Sequence, residues 1–307
     1  MKLLMIFTGG TIACRRGDSG LAPDAENSFA LLEPFAEHEF ECATPYFTLS
    51  ENLGFDMLRR LYDCLSEHDL ERYDGVIVAH GTDTLAYTAA YLSLRLGLCD
   101  TPVVLVSAAY PLSDSRTNGF DNMRGALDFI ASRQGRGVFV SYKNDGEPVR
   151  IHRGTMVLPH APYDDSVRSA GGMLYATVIG GVVEKNPDYC ETNTGASGVC
   201  GEERRVAWLR AHPGMLLPQL DTIDAVLLEG YHSGTLPTAD ARFAAFCMEA
   251  KRKGCPVFLT GAREGFDYES KQAFERLGIQ PLPPVSPACA YVGCVLGIFS
   301  RADRIMY

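Results

Sequence analysis

Leu3-Leu4-Met5-Ile6-Phe7-Thr8-Gly9-Gly10-Thr11-Ile12-Ala13 is the stretch that decides the fold. Its first six residues are continuous and apolar rather than alternating, as in a strand covered on both faces. A Gly/Thr loop follows at once. The same design returns at Gly75-Val76-Ile77-Val78-Ala79-His80-Gly81-Thr82-Asp83-Thr84-Leu85, where a buried run again empties into a Gly/Thr turn. Residues 103–107 and 137–142 read as two more buried strands.

Helical spacing fills the intervals. Residues 51–66 carry Leu53, Met57, Leu58, Leu61 and Leu65 on one stripe, and residues 84–98 place Leu85, Ala89, Leu92 and Leu96 on one face. Strands alternating with helices predict an α/β fold with a doubly wound, mostly parallel, flavodoxin-like sheet. Around residues 171–184 the pattern changes to a Gly-rich, β-branched ribbon, followed by the polar Asn193-Thr194-Gly195-Ala196-Ser197-Gly198 tract. That composition marks a linker over 185–205. Beyond it, strands at 206–209, 225–228 and 257–260 with helices at 239–253 and 270–277 predict a smaller α/β domain over 206–307. Residues 1–184 form the N-terminal domain.

With 307 residues, 46% hydrophobic and 21% charged, the chain has the composition of an ordinary globular protein. Its net charge of −10 argues against a phosphate-neutralising nucleic-acid surface. The short run Lys251-Arg252-Lys253 reads as a solvated helix end, where cations are favourable. The opening apolar run is too short for a signal peptide, and no stretch reaches the roughly 18 apolar residues of a membrane span. A cytoplasmic protein is expected. The ten cysteines contain no C-x-x-C pair, and Cys190 with Cys200 lacks a companion His or Cys at ligand spacing, so neither metal nor disulfide is expected.

The candidate chemistry lies in the two loops. Ligands of doubly wound sheets bind outside the carboxyl ends of the strands, where glycines let backbone N–H groups approach a substrate oxygen. Thr11 and Thr82 stand there, in a setting suited to an oxyanion hole. Asp83 reads either as a clamp for a ligand ammonium or as an ordinary N-cap. A threonine nucleophile needs a partner for its proton. His80 reads as that base or as a structural donor at a strand end.

The strings 8–13 and 80–85 resemble the two signature motifs of bacterial-type L-asparaginases, and Ala86-Tyr87-Thr88-Ala89 continues in the style of their cytoplasmic type I members. Ser50-Glu51-Asn52, Tyr110-Pro111 with Arg116 and Gly119, and Gly230-Tyr231-His232-Ser233-Gly234 resemble further family segments in the same order. The resemblance implies a two-domain homodimer or homotetramer that hydrolyses the side-chain amide of asparagine through a threonyl acyl intermediate. It implies no metal or other cofactor. Carried onto this chain, it makes Thr11 the nucleophile, Thr82 the second catalytic threonine, Asp83 the ammonium clamp and Ser50 the carboxylate contact. Glu51 stands where the family often has a neutral polar side chain, which favours a cationic group nearby.

Two departures from the family pattern stand out. The loop tyrosine that hydrogen-bonds the family's nucleophile is replaced by Leu21. The lysine paired with the second threonine has no counterpart in Val149-Arg150-Ile151-His152-Arg153-Gly154-Thr155-Met156-Val157-Leu158-Pro159, its position falling at Arg153, Leu158 or Pro159. An arginine stays charged and cannot serve as a base, although Arg153 can stabilise charge or bind a carboxylate. His152 is one candidate replacement base, with a structural role as the alternative. Three functions therefore stay open: an amidohydrolase acting on asparagine or another small amide, a ligand-binding or sensor protein on the same scaffold, and an amidotransferase component.

Overall fold

The computed structural model of the protein describes residues 1–17, 20–23, 28–192, 194, 203–262 and 268–299. The chain falls into two compact units, Met1–Cys190 and Glu191–Tyr307.

The first unit is built in chain order from β1 (Lys2–Phe7), a hairpin of β2 (Cys14–Gly17) and β3 (Gly20–Pro23), β4 (Glu39–Ala43), α1 (Phe55–Ser66), β5 (Gly75–Ala79), α2 (Leu85–Leu96), β6 (Val103–Val106), α3 (Gly119–Ser132), β7 (Val138–Lys143), β8 (Val149–Arg153), β9 (Ala176–Ile179) and β10 (Val182–Lys185). One sheet holds all of these strands except the hairpin, in the order β10-β9-β8-β7-β6-β5-β1-β4. From β4 to β7 the pairing is parallel, and β8, β9 and β10 continue it antiparallel.

The parallel part follows from burial on both faces. Leu3–Ile6, Val76–Val78 and Val103–Val106 are fully enclosed, and runs of this kind need helices above and below. α1 supplies one cover with Leu58, Leu61 and Leu65 facing inward and Arg59, Arg60 and Asp63 outward. α2 is buried almost all round, its small Ala86, Ala89 and Ala90 allowing close packing. The short turn Gly154–Met156 lies against it, and a side-chain carbon on Gly154 would stand 2.9 Å from the Ala89 carbonyl oxygen.

β4 has no counterpart among the strands expected from the sequence. Glu39-Phe40-Glu41-Cys42-Ala43 is mostly exposed, and as an edge strand it carries no apolar run to announce it. Its place decides the topology. Numbered among the parallel strands alone, the order is 2-1-3-4-5, so the direction of winding reverses between β1 and β5.

The second unit is a parallel four-stranded sheet, β11 (Val206–Arg210), β12 (Ala225–Glu229), β13 (Val257–Thr260) and β14 (Ile279–Pro281), with α4 (Ala241–Lys253), α5 (Glu269–Leu277) and α6 (Pro287–Val295). The Asp240 carboxylate caps α4 by accepting the Arg242 N–H at 2.8 Å, and Gly254 ends the helix in the left-handed region. Lys251, Arg252 and Lys253 form its last turn. α6 leaves no helical stripe in the sequence because its Ala, Cys, Gly and Val residues are buried all round.

Candidate active site

The loops after β1, β4 and β5 leave the same edge of the sheet. Phe7 pairs with Ala79, so both Gly/Thr loops start at one level, on adjacent strands about 5 Å apart. Backbone bonds tie them. Thr8 gives its N–H and its hydroxyl to the Ala79 carbonyl at 3.1 and 2.9 Å, Thr48 gives its N–H to Thr8 at 3.1 Å, and Gly10 gives its N–H to Thr48 at 2.9 Å.

Contact between the loops is closer than side chains permit. A β-carbon on Gly10 would lie 2.2 Å from the Gly81 Cα, and one on Gly81 would lie 2.4 Å from the Ser50 Cβ and Oγ. The next residues along, Thr11 and Thr82, therefore each follow one of two touching glycines at the point where the sheet reverses its winding, and both are half-buried. Thr11 opens a single turn over Thr11–Ala13. The Gly10 N–H is already spent on Thr48, so an oxyanion donor has to come from beyond it.

Ser50, Glu51 and Asp83 complete the rim. Ser50 is buried, and its hydroxyl donates to the Asp83 carboxylate at 2.8 Å. The Thr84 hydroxyl donates to the Ser50 carbonyl at 2.9 Å. Asp83 does not cap the following helix: α2 begins after Thr84 without a side-chain cap. Its exposed carboxylate is engaged with Ser50 instead. Glu51 is exposed at the start of the turn Ser50–Asn52, and its charge adds to the burial that raises the Cys14 thiol. Two carboxylates thus border the paired threonines, an arrangement suited to a cationic ligand group.

His80 is structural. Its Nδ1 lies 2.8 Å from the Gly81 carbonyl, which only accepts, so this nitrogen carries the proton and Nε2 accepts from the Thr88 hydroxyl at 2.8 Å. Burial lowers it to about 4. His152 is likewise sealed in mid-strand, with Nδ1 2.8 Å from the Ser169 hydroxyl, and burial with the Arg150 charge lowers it to about 3. In the unfolded chain both rings take up a proton near pH 6.5. A depressed folded value makes their stabilisation complete above pH 6.5 and lost as the pH falls toward 4 and 3. Urea unfolding should show stability dropping by at least about 2 kcal/mol per pH unit between pH 6 and 5, above the main carboxylate range. A flat profile there would mean that the folded protein protonates these rings.

The region of the missing lysine is divided between two ends of the sheet. Arg153 closes β8, which runs against β7, so it sits opposite Phe139 near the amino end of the parallel strands. Its guanidinium donates to the Arg136 carbonyl at 2.6 Å and lies over the Phe139 ring. It cannot serve Thr82 from there. The chain then turns back, with Val157 bridging Ser169 and Leu158 bonding Arg168. It reaches His160, whose ring centre lies 6.4 Å from that of Tyr142, at the carboxyl end of β7. The charges of Asp83 and Asp165 both act on His160. This histidine is not among the candidates that the sequence offers, and its only signal there is a place one residue beyond Pro159.

Tyr46 is buried against Thr8, and burial pushes its hydroxyl well above the usual tyrosine value. Leu21 lies in β3, but its side chain is outside the described residues, as are Cys200 and most of the polar tract before it. Arg116 pairs with Asp114 at 2.7 Å and covers the Tyr110 ring on the loop after β6. Among the described residues, no helix is long and apolar enough to cross a membrane.

Comparison with known proteins bears on this geometry. Residues 2–168 match the family model described as "Asparaginase, N-terminal". L-asparaginase 1 of Escherichia coli (strain K12) is 30% identical over 164 residues, which are 50% of this chain and 46% of that protein, so the match spans about half of each. One subunit of the glutamyl-tRNA(Gln) amidotransferase of Thermococcus kodakarensis is 29% identical over 328 aligned positions, covering 96% of this chain and 72% of that one. Among solved structures, the thermostable L-asparaginase from Thermococcus kodakarensis superimposes with a TM-score of 0.78 at 24% identity, covering 99% of this chain and 94% of the other. At that identity it speaks for the fold alone.

Proposed function

The chain belongs to the asparaginase family, and on that premise we propose that it is an amidohydrolase releasing ammonia from asparagine or a related small amide. The observation that carries this reading is the backbone contact of Gly10 with Gly81, which brings together the loops that bear Thr11 and Thr82 where the sheet reverses. In the first step the Thr11 oxygen attacks the amide carbon, the C–N bond breaks, and the hydroxyl proton leaves with the nitrogen as ammonia. In the second, water cleaves the ester and restores the Thr11 hydroxyl. Splitting the reaction this way replaces one hard displacement with two easier ones.

Ser50 and Asp83 form the binding end of the site. The hydrogen bond between them fixes the carboxylate, and Glu51 adds negative charge at the same rim. Both favour a substrate carrying an ammonium group. Asp83→Asn should lower kcat/KM by roughly 10- to 100-fold, chiefly by raising KM, because a charge-assisted contact is lost. Steady-state kinetics of ammonia release check this, and an unchanged KM would remove Asp83 from substrate binding.

The reading as a whole is tested by assaying the purified protein for ammonia release from L-asparagine, L-glutamine and smaller aliphatic amides, beside thermal unfolding with each. Release from one of them supports it. Stabilisation by an amino acid without any release would favour a binding or sensor protein on the same scaffold. The match of an amidotransferase component to 96% of this chain favours a second reading, in which the chain works within an amidotransferase. Copurification with a partner protein or tRNA would support that, although the net charge of −10 weighs against tRNA contact.

A further inference from the structure

We propose that His160 is the proton acceptor of this site, taking the proton of the Thr82 hydroxyl when water attacks the acyl ester. The inference rests on the amidohydrolase reading above and names the base that it lacks.

Position comes first. The 157–160 segment leads the chain from the amino end of the parallel strands back to their carboxyl ends, and His160 arrives beside Tyr142 and within the field of Asp83, the neighbour of Thr82. Arg153 is engaged with the Arg136 carbonyl, and His152, whose Nδ1 lies against Ser169 and whose Nε2 is also without a partner, is fully buried within β8. His160 is the histidine of this segment on which the Asp83 charge acts.

Its hydrogen bonding comes second. The Asp165 backbone acts on the ring, and the Asp165 carbonyl receives the Tyr142 hydroxyl at 3.1 Å. The ring's Nε2 is buried without a hydrogen-bond partner among the described residues. A buried ring nitrogen without a partner is costly to keep, and an imidazole that can take up a proton there has the chemistry of a general base.

The groups facing His160 suit a proton that is taken up and given back. Burial holds the free ring below its ordinary value, so it is neutral near pH 7. Asp83, from the loop after β5, and Asp164 and Asp165, from the loop that follows His160, oppose that effect, and Tyr142 from β7 is neutral. Their charge supports the imidazolium once it forms. In deacylation, water adds to the ester carbon and passes a proton to the Thr82 oxygen, while the Thr82 proton moves to Nε2. As the ester C–O bond breaks, the proton returns through Thr82 to the Thr11 oxygen. Protons and charge balance, and both hydroxyls are regenerated.

The test uses full-length wild-type protein and His160→Gln with the best amide from the panel. His160→Gln should lower kcat about 10²- to 10³-fold while leaving a rapid first release of ammonia, because the acyl ester still forms. The acid limb of the wild-type kcat profile should vanish in the variant, and added imidazole should restore part of the rate. A second variant, His160→Lys, keeps a titrating nitrogen and should recover activity at high pH; thermal unfolding verifies that both variants are folded. Wild-type protein silent toward every amide overturns both readings. Active wild type whose kcat and pH profile survive His160→Gln overturns this one alone.

Discussion

Thr11→Ala should lower ammonia release from the preferred amide by at least about 10³-fold, because it removes the atom that forms the acyl ester. The change takes one half-buried side chain from the start of a short turn and leaves Gly10 and Gly81 in contact, so stability should change by less than about 1 kcal/mol. Thr11→Ser keeps the nucleophilic oxygen and should retain a measurable rate. Thr82→Ala should be impaired as well, but after the first chemical step, so a rapid initial release of ammonia survives. Quenched-flow measurement of ammonia separates the two. If Thr11→Ala kept full activity while Thr82→Ala abolished it, the roles would have to be exchanged.

Gly10→Ala should destabilise the first unit by at least about 3 kcal/mol, which lowers its melting temperature by about 10 °C. Two independent costs meet there. The backbone has φ 78° and ψ −179°, a region that only glycine enters easily. The new carbon would also meet the Gly81 Cα at 2.2 Å and its nitrogen at 2.3 Å, both of them backbone atoms that cannot turn aside. Gly146→Ala is the control, since φ is 70° there but nothing lies within 4 Å. It should cost only about 1 kcal/mol of backbone strain. Equal losses at the two positions would show that the loops are not pressed together, which circular dichroism melts of both variants can decide.

What could be read in the sequence was what burial writes there. β1, β5, β6 and β7 are enclosed on both faces, so each appears as an unbroken apolar run, and the Gly/Thr loops stand out because they interrupt such runs. β4 left no such trace. Its residues face solvent at the edge, yet its pairing with β1 creates the reversal at which the loops of Thr11 and Thr82 meet. Ser50 and Asp83 were each legible as candidates, but not as hydrogen-bonded partners, since 33 residues separate them.

Around the lost lysine, proximity in sequence misled. Arg153 and His152 lie close to its position along the chain, but β8 is antiparallel to β7, so the strand carries Arg153 to the far end of the sheet. The returning segment brings His160 instead. Nothing in its composition reports that return, because a turn back across a sheet depends on where the antiparallel strands dock rather than on local pattern. The hydroxyls were candidates in the sequence, whereas His160 became one only through the packing.

Rapid acid quenching during turnover, followed by peptide mass spectrometry, measures the central claim most directly. Trypsin places Thr11 in residues 3–15 and Thr82 in residues 73–95, so an ester on either is assigned without ambiguity. The prediction is an acyl ester on the first peptide during steady release of ammonia, rising in His160→Gln. Ammonia released with no ester on residues 3–15, or with the ester on residues 73–95, would contradict it.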